Sequence, residues 1–168
     1  KRIYDYITLN VRYHYQPAYF VQDCLPDNCA RNRRGDCGIM ALTFITLCRL
    51  VGIPAQWQSG LAVSPTGVGY HDWAMFYIAP KGWMYADCSF GASMARNGEE
   101  ELRRHYFGNL DTGRMVANRA FEAPFDPPMY GFRKDPYDNQ TGEIEADGTG
   151  LYGTQVEPEK DVLHYEFL

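Results

Sequence analysis

Residues 38–51, GIMALTFITLCRLV, are apolar on almost every side when wound as a helix. The exceptions, Thr43, Thr46 and Arg49, recur at every third residue and fall on one narrow stripe. A helix without a polar face belongs in the middle of a fold, so the rest of the chain has to supply layers around it. Gly52 and Pro54 stop it cleanly.

The stretches that follow read as strands. Residues 55–63 place Trp57, Leu61 and Val63 on one parity, and residues 70–78 put His71, Trp73, Met75 and Tyr77 on one face. Residues 83–88 do the same with Trp83, Tyr85 and Asp87, and Ala79-Pro80-Lys81-Gly82 is a turn that makes these two runs a hairpin. Ahead of the central helix, Ile3, Ile7 and Val11 repeat at helical spacing over 3–13, and 16–36 reads as a long loop. Beyond the hairpin, 98–107 reads as a short helix closed by Gly108, and Arg114–Arg119 as a strand. Residues 122–150 read as irregular wrapping, with edge strands at 151–156 and 162–168. A helix followed by an antiparallel meander is an α+β signature, not the alternation of a nucleotide-binding fold.

At 168 residues the chain is expected to form one domain over 1–168, with its core at about 30–90 and a wrapping segment at 120–168. A net charge of −5 argues against a nucleic-acid partner, and no apolar run approaches a membrane span. The chain starts at Lys1, so the lack of a secretory h-region says little about its compartment. Oligomeric state is not legible.

Of five cysteines, Cys24 and Cys29 read equally as a loop-bridging disulfide or as two free thiols. Cys37 and Cys48, on one helix, would lie roughly 16 Å apart, beyond disulfide reach. Cys48 reads as a buried apolar residue. Cys-x4-Cys without a second close pair is poor zinc spacing, so no metal or cofactor is expected; a zinc domain using the cysteines and His71 is the weakest rival.

Cys37 opens the central helix, in Arg33-Arg34-Gly35-Asp36-Cys37-Gly38. The helix N-terminus, the upstream arginines and an imidazolium partner would each favour its thiolate, the form that attacks an amide. Asp36 is expected to N-cap the helix. His71 and Asp87, on neighbouring strands, would supply a base and the group that fixes its tautomer. Direct opposition would centre the turn at 78–80, earlier than the turn residues, so a diagonal pairing or a bulge is expected. Asp72 has the opposite parity and should point away from His71. Alone, Cys37 reads equally as a buried structural cysteine; the ordered combination favours chemistry.

Gly35-Asp36-Cys37, the helix ending Cys48-Arg49-Leu50-Val51-Gly52-Ile53-Pro54-Ala55, then His71-Asp72-Trp73 and Gly82-Trp83-Met84-Tyr85-Ala86-Asp87, resemble the transglutaminase-like superfamily over roughly 30–90. The resemblance implies a papain-like core with Cys37 as nucleophile, His71 as general base and acid, and Asp87 as orienter. Residues 106–119 and Asn139-Gln140-Thr141-Gly142-Glu143 resemble the C-terminal part of secreted bacterial members, which favours an extracytoplasmic location. Asp72 stands where the family usually has a small or apolar residue, and Cys88 where proline is common. The oxyanion donors would be the Cys37 N–H and one of Tyr15, Gln16 or Gln22. Trp73 and Trp83 are candidate cleft residues, although core packing suits both better.

His14, His105 and His164 read as surface or structural, and Asp135, Asp138, Glu143 and Glu145 as a solvated acidic segment. Tyr130, Phe132 and Tyr137 fit a wrapping loop better than a lid. The expected activity is thiol-dependent acyl transfer or hydrolysis of a peptide, protein or glycopeptide amide through a thioester. Hydrolysis is preferred, because nothing resembles the auxiliary domains of calcium-dependent cross-linkers. The rival is a catalytically silent module of the same fold that binds protein or glycan.

Overall fold

A computed structural model describes residues 1–16, 19–132 and 143–166. The all-apolar run forms α3 (Cys37–Leu50), preceded by α1 (Arg2–Asn10), β1 (Arg12–Tyr13), α2 (Leu25–Asn32) and β2 (Arg34–Gly35). It is followed by β3 (Ala55–Ser64), β4 (Gly67–Ile78), β5 (Gly82–Ala86), α4 (Cys88–Asn97), α5 (Glu100–His105), β6 (Phe107–Gly108) and β7 (Arg114–Asn118). A small hairpin, β8 (Glu145–Ala146) and β9 (Thr149–Gly150), lies near the C-terminus.

The five larger-sheet strands run antiparallel in the order β6-β5-β4-β3-β7. α3 lies against β3 and β4 on one side and meets α1, α2 and α4 on the others. That explains its composition: Ile39, Met40, Ala41, Phe44, Ile45 and Cys48 are all buried, in contact with different layers. Phe44 meets Phe76 edge-on at 5.6 Å, and Phe76 stacks on Phe107 at 5.1 Å. Thr43 satisfies its hydroxyl on the carbonyl of Ile39 at 2.7 Å, so it too is buried without an orphan donor. The architecture is α+β, with a central buried helix on an antiparallel sheet.

Three readings need correction, and one open alternative closes. The 16–36 loop contains α2, whose buried residues are only Leu25 and Cys29, too few to show as a periodic stripe. The strand read over 83–88 ends at Ala86, because the Asp87 side chain accepts the Phe90 N–H and starts α4. No strand forms among described residues 151–166, although β8 and β9 lie just upstream. Of the two readings of Cys24 and Cys29, the structure takes that of free thiols: Cys29 is buried within α2, whereas Cys24 is exposed. Asp135, Tyr137, Asp138 and 139–142 lie outside the described residues, while Tyr130 and Phe132 are exposed.

Candidate active site

β1 pairs in parallel with β2, Tyr13 opposite Gly35, and so fixes the chain immediately before Cys37. Asp36 then caps α3: its Oδ1 accepts the Ile39 N–H at 3.0 Å and the Tyr19 hydroxyl at 2.6 Å, and its Oδ2 accepts the Gln16 N–H at 3.1 Å. Burial outweighs these bonds and raises the Asp36 carboxyl above its ordinary range. Gly38 has no room for a side chain. A Cβ there would overlap the Tyr19 hydroxyl and lie 3.0 Å from Asp72 Oδ2.

The Cys37 thiol donates to Asp72 Oδ2 at 3.2 Å. Burial, then the charges of Asp72 and Asp36, push this thiol well above its usual value; the Asp72 backbone N–H opposes them more weakly. Asp72 does point away from His71, as its parity requires. The sheet is covered on both faces at this level, however, and the face away from His71 is the one on which α3 rests. Parity therefore aims Asp72 at the sulfur.

His71 and Asp87 meet on the other face. His71 Nε2 lies 2.7 Å from Asp87 Oδ2, with both residues buried. The β4–β5 register pairs Ala74 with Ala86, so continuing it places Asp87 across from Trp73 and diagonal to His71. Asp87 is held by both its oxygens, since Oδ1 accepts from Phe90 N at 2.9 Å and from the Ser89 hydroxyl at 3.2 Å. Arg114 Nη1 approaches Oδ2 at 2.9 Å. Burial alone would raise this carboxyl, but His71 and Arg114 reverse the effect and lower it to about 2.

Cys37 makes no hydrogen bond to His71 among the described residues; its partner is Asp72. Nε2 is committed to Asp87, which leaves His71 Nδ1 as the nitrogen able to meet a sulfur. Tyr15 is exposed, the Gln16 N–H is spent on Asp36, and the Gln22 N–H bonds the Tyr19 carbonyl. None of the three hydrogen-bonds Cys37. Tyr13, unremarked in the sequence, lies close enough that burial and the charges of Cys37, Asp36 and Asp72 push its phenol up to about 12, so it stays a donor.

Trp73 is fully buried, its indole N–H on Gln58 Oε1 at 2.7 Å, and it does not line an open cleft. Trp83 packs edge-on against Tyr77, six residues or roughly 20 Å along β4 from His71, too far to share a cleft with it. Tyr19 and Arg114 also escaped sequence reading. Tyr19 carries no local signal, whereas Arg114 sits in the 106–119 stretch that had suggested bacterial relatives.

A family model described as the transglutaminase-like superfamily core matches residues 1–88, more than half of the chain. The chain belongs to the transglutaminase-like superfamily. The match takes in Cys37, His71 and Asp87 and stops before Arg114. Among solved structures, a candidate cysteine protease from Cytophaga hutchinsonii is 27% identical, with a TM-score of 0.46 over 52% of this chain and 29% of that one. This transglutaminase-like chain thus spans less than a third of that protein. No curated protein matches.

Proposed function

We propose that this transglutaminase-like chain is a thiol amidohydrolase acting on a peptide or glycopeptide amide, with Cys37, His71 and Asp87 as its catalytic residues. The observation that carries the reading is the buried 2.7 Å contact of His71 Nε2 with Asp87, the base-and-orienter pair that such chemistry needs, in a fold whose central helix begins with a cysteine.

In this reading Cys37 and His71, which this structure leaves on opposite faces of β4, come together before the thiol leaves Asp72 and gives its proton to His71 Nδ1. Sγ bonds to the amide carbonyl carbon, and the developing oxyanion takes the Cys37 N–H at the open end of α3. The carbon–nitrogen bond breaks as His71 returns the proton to the leaving amine, giving a thioester. His71 then deprotonates a water, which releases the acid and restores the thiol. An amine in place of water would give transfer instead.

A second reading is supported by the Asp72 contact: a thiol held by a carboxylate suits a module that binds protein or glycan without turning it over. Alkylation of Cys37 by iodoacetamide across pH separates the two. Burial and Asp72 raise the Cys37 thiol, so in the enzyme reading contact with His71 has to offset them: native Cys37 is alkylated faster than in His71→Ala. A Cys37 that reacts only after unfolding would sink that reading. Once a substrate is in hand, Cys37→Ala should retain the fold and lose turnover entirely.

A further inference from the structure

Arg114 lies outside the stretch shared with the family model, yet it reaches the centre of the candidate site. Its side chain is 4% exposed, with Nη1 2.9 Å from Asp87 Oδ2, the oxygen that also bonds His71. Nε and Nη2 hold Asp111 at 2.9–3.2 Å. The guanidinium lies 4.3 Å over the Phe90 ring, and that ring is 4.4 Å from the His71 ring. From these contacts we infer that Arg114 is a positioning residue for the His71–Asp87 pair: it supplies the fixed positive charge that keeps Asp87 ionised while His71 gives up its proton.

The inference rests on the hydrolase reading for its purpose, but its physics stands on the contacts. A fully buried carboxylate needs a compensating charge. If His71 were its only cation, losing the imidazolium proton would strand the carboxylate, and His71 would be tied to its charged form. A base has to cycle between both forms. Guanidinium does not deprotonate in proteins, so Arg114 releases His71 from that constraint.

The other groups around the pair do not take its place. Tyr4 from α1, Cys88 and Ser89 from α4, and Tyr106 beside β6 are neutral or raise the local negative potential when ionised. Asp72 lies on the opposite face of β4, and Arg103 is engaged by Asp5 and Glu100. Asp111 is negative and competes for Arg114.

The test uses the full chain and its Arg114→Gln, Arg114→Lys, Asp111→Asn and His71→Ala variants. The Asp87 carboxyl carbon is followed by NMR from acid to neutral pH, and Cys37 alkylation by iodoacetamide is followed by peptide mass spectrometry. In Arg114→Gln the midpoint of the Asp87 carboxyl transition should move up by about one pH unit, a tenfold change in proton affinity. Arg114→Lys should restore most of the difference. Asp111→Asn, which frees more of the Arg114 charge for Asp87, should move the midpoint the other way.

An Arg114→Gln protein that folds and titrates like the parent would overturn the inference. If that variant does not fold, Asp111→Asn decides: a downward shift supports the inference, and an unmoved midpoint overturns it. The hydrolase reading fails separately, if His71→Ala leaves the pH profile of Cys37 alkylation unchanged.

Discussion

Two aspartates in this fold do the same local job and end with opposite electrostatics. Asp36 caps α3 and Asp87 caps α4; each is buried and each accepts the N–H three residues ahead. Asp36 is otherwise held by a tyrosine hydroxyl and a backbone N–H, and burial leaves its carboxyl raised. Asp87 has an imidazole and a guanidinium, and its carboxyl falls to about 2. The capping motif therefore decides where the helix starts but not what charge the cap carries. That is set by cations arriving from distant sequence, and it divides the site into a compensated half around His71 and a negative half around Cys37.

Replacing Asp87 by Asn should break the comparison most severely. It keeps the shape but removes the anion that orients the imidazole, so turnover should fall about 10⁴-fold, as for other triads altered this way. It also leaves Arg114 buried with half its partners. Because the Asp87 carboxyl is lowered on folding, its contribution is full above the unfolded value of 3.8 and is lost as pH falls through about 2. The gap between parent and variant in urea unfolding should thus be about 2–3 kcal/mol at neutral pH, narrowing in acid.

On the negative half, Asp72→Asn removes the carboxylate in contact with the sulfur, which lowers the thiol, and should speed native Cys37 alkylation by roughly tenfold near neutral pH. An unchanged rate would mean that burial alone governs the thiol. Gly38→Ala, whose new methyl meets the Tyr19 hydroxyl, should cost about 1–3 kcal/mol in denaturant unfolding.

Asp36→Asn should show the smallest effect, with the reverse pH sign to Asp87. A raised carboxyl favours folding below its unfolded value and loses that contribution as pH rises through its folded value. Asparagine caps nearly as well, so the variant should stay within about 1 kcal/mol of the parent at neutral pH, with a few-fold faster Cys37 alkylation.

The sequence exposed the compensated half better than the negative one. α3 and the β3–β4–β5 meander were legible because their apolar patterns are long and uninterrupted. That His71 and Asp87 could not stand directly opposite followed from where the turn had to lie, and of the diagonal and the bulge the structure takes the diagonal. α2 and α4 were not read. α2 buries only two side chains, and α4 (CSFGASMARN) is rich in small residues that also suit a strand end or a loop. Asp87 and Gly98 did bracket α4, the latter in the left-handed conformation that ends helices, but the strand pattern of 83–88 concealed the start. Asp72 takes the face its parity gave it, away from His71, but its contact with the sulfur was not legible. Strand parity gives the face a side chain takes, and only the packing of α3 tells that this face holds the sulfur.

The brevity of β5 makes the His71–Asp87 contact possible. It stops at Ala86, opposite Ala74, so β4 has no β5 partner from Trp73 back to Gly67. The chain uses that notch to leave the sheet at Asp87. Strand length here acts as a gauge: one more paired residue would hold Asp87 in the ladder and cost α4 its cap, and two would close the notch beside His71. Insertions before Asp87 should therefore be far more damaging than insertions of equal size in the turn at Ser64–Gly67, where the hairpin only lengthens outward.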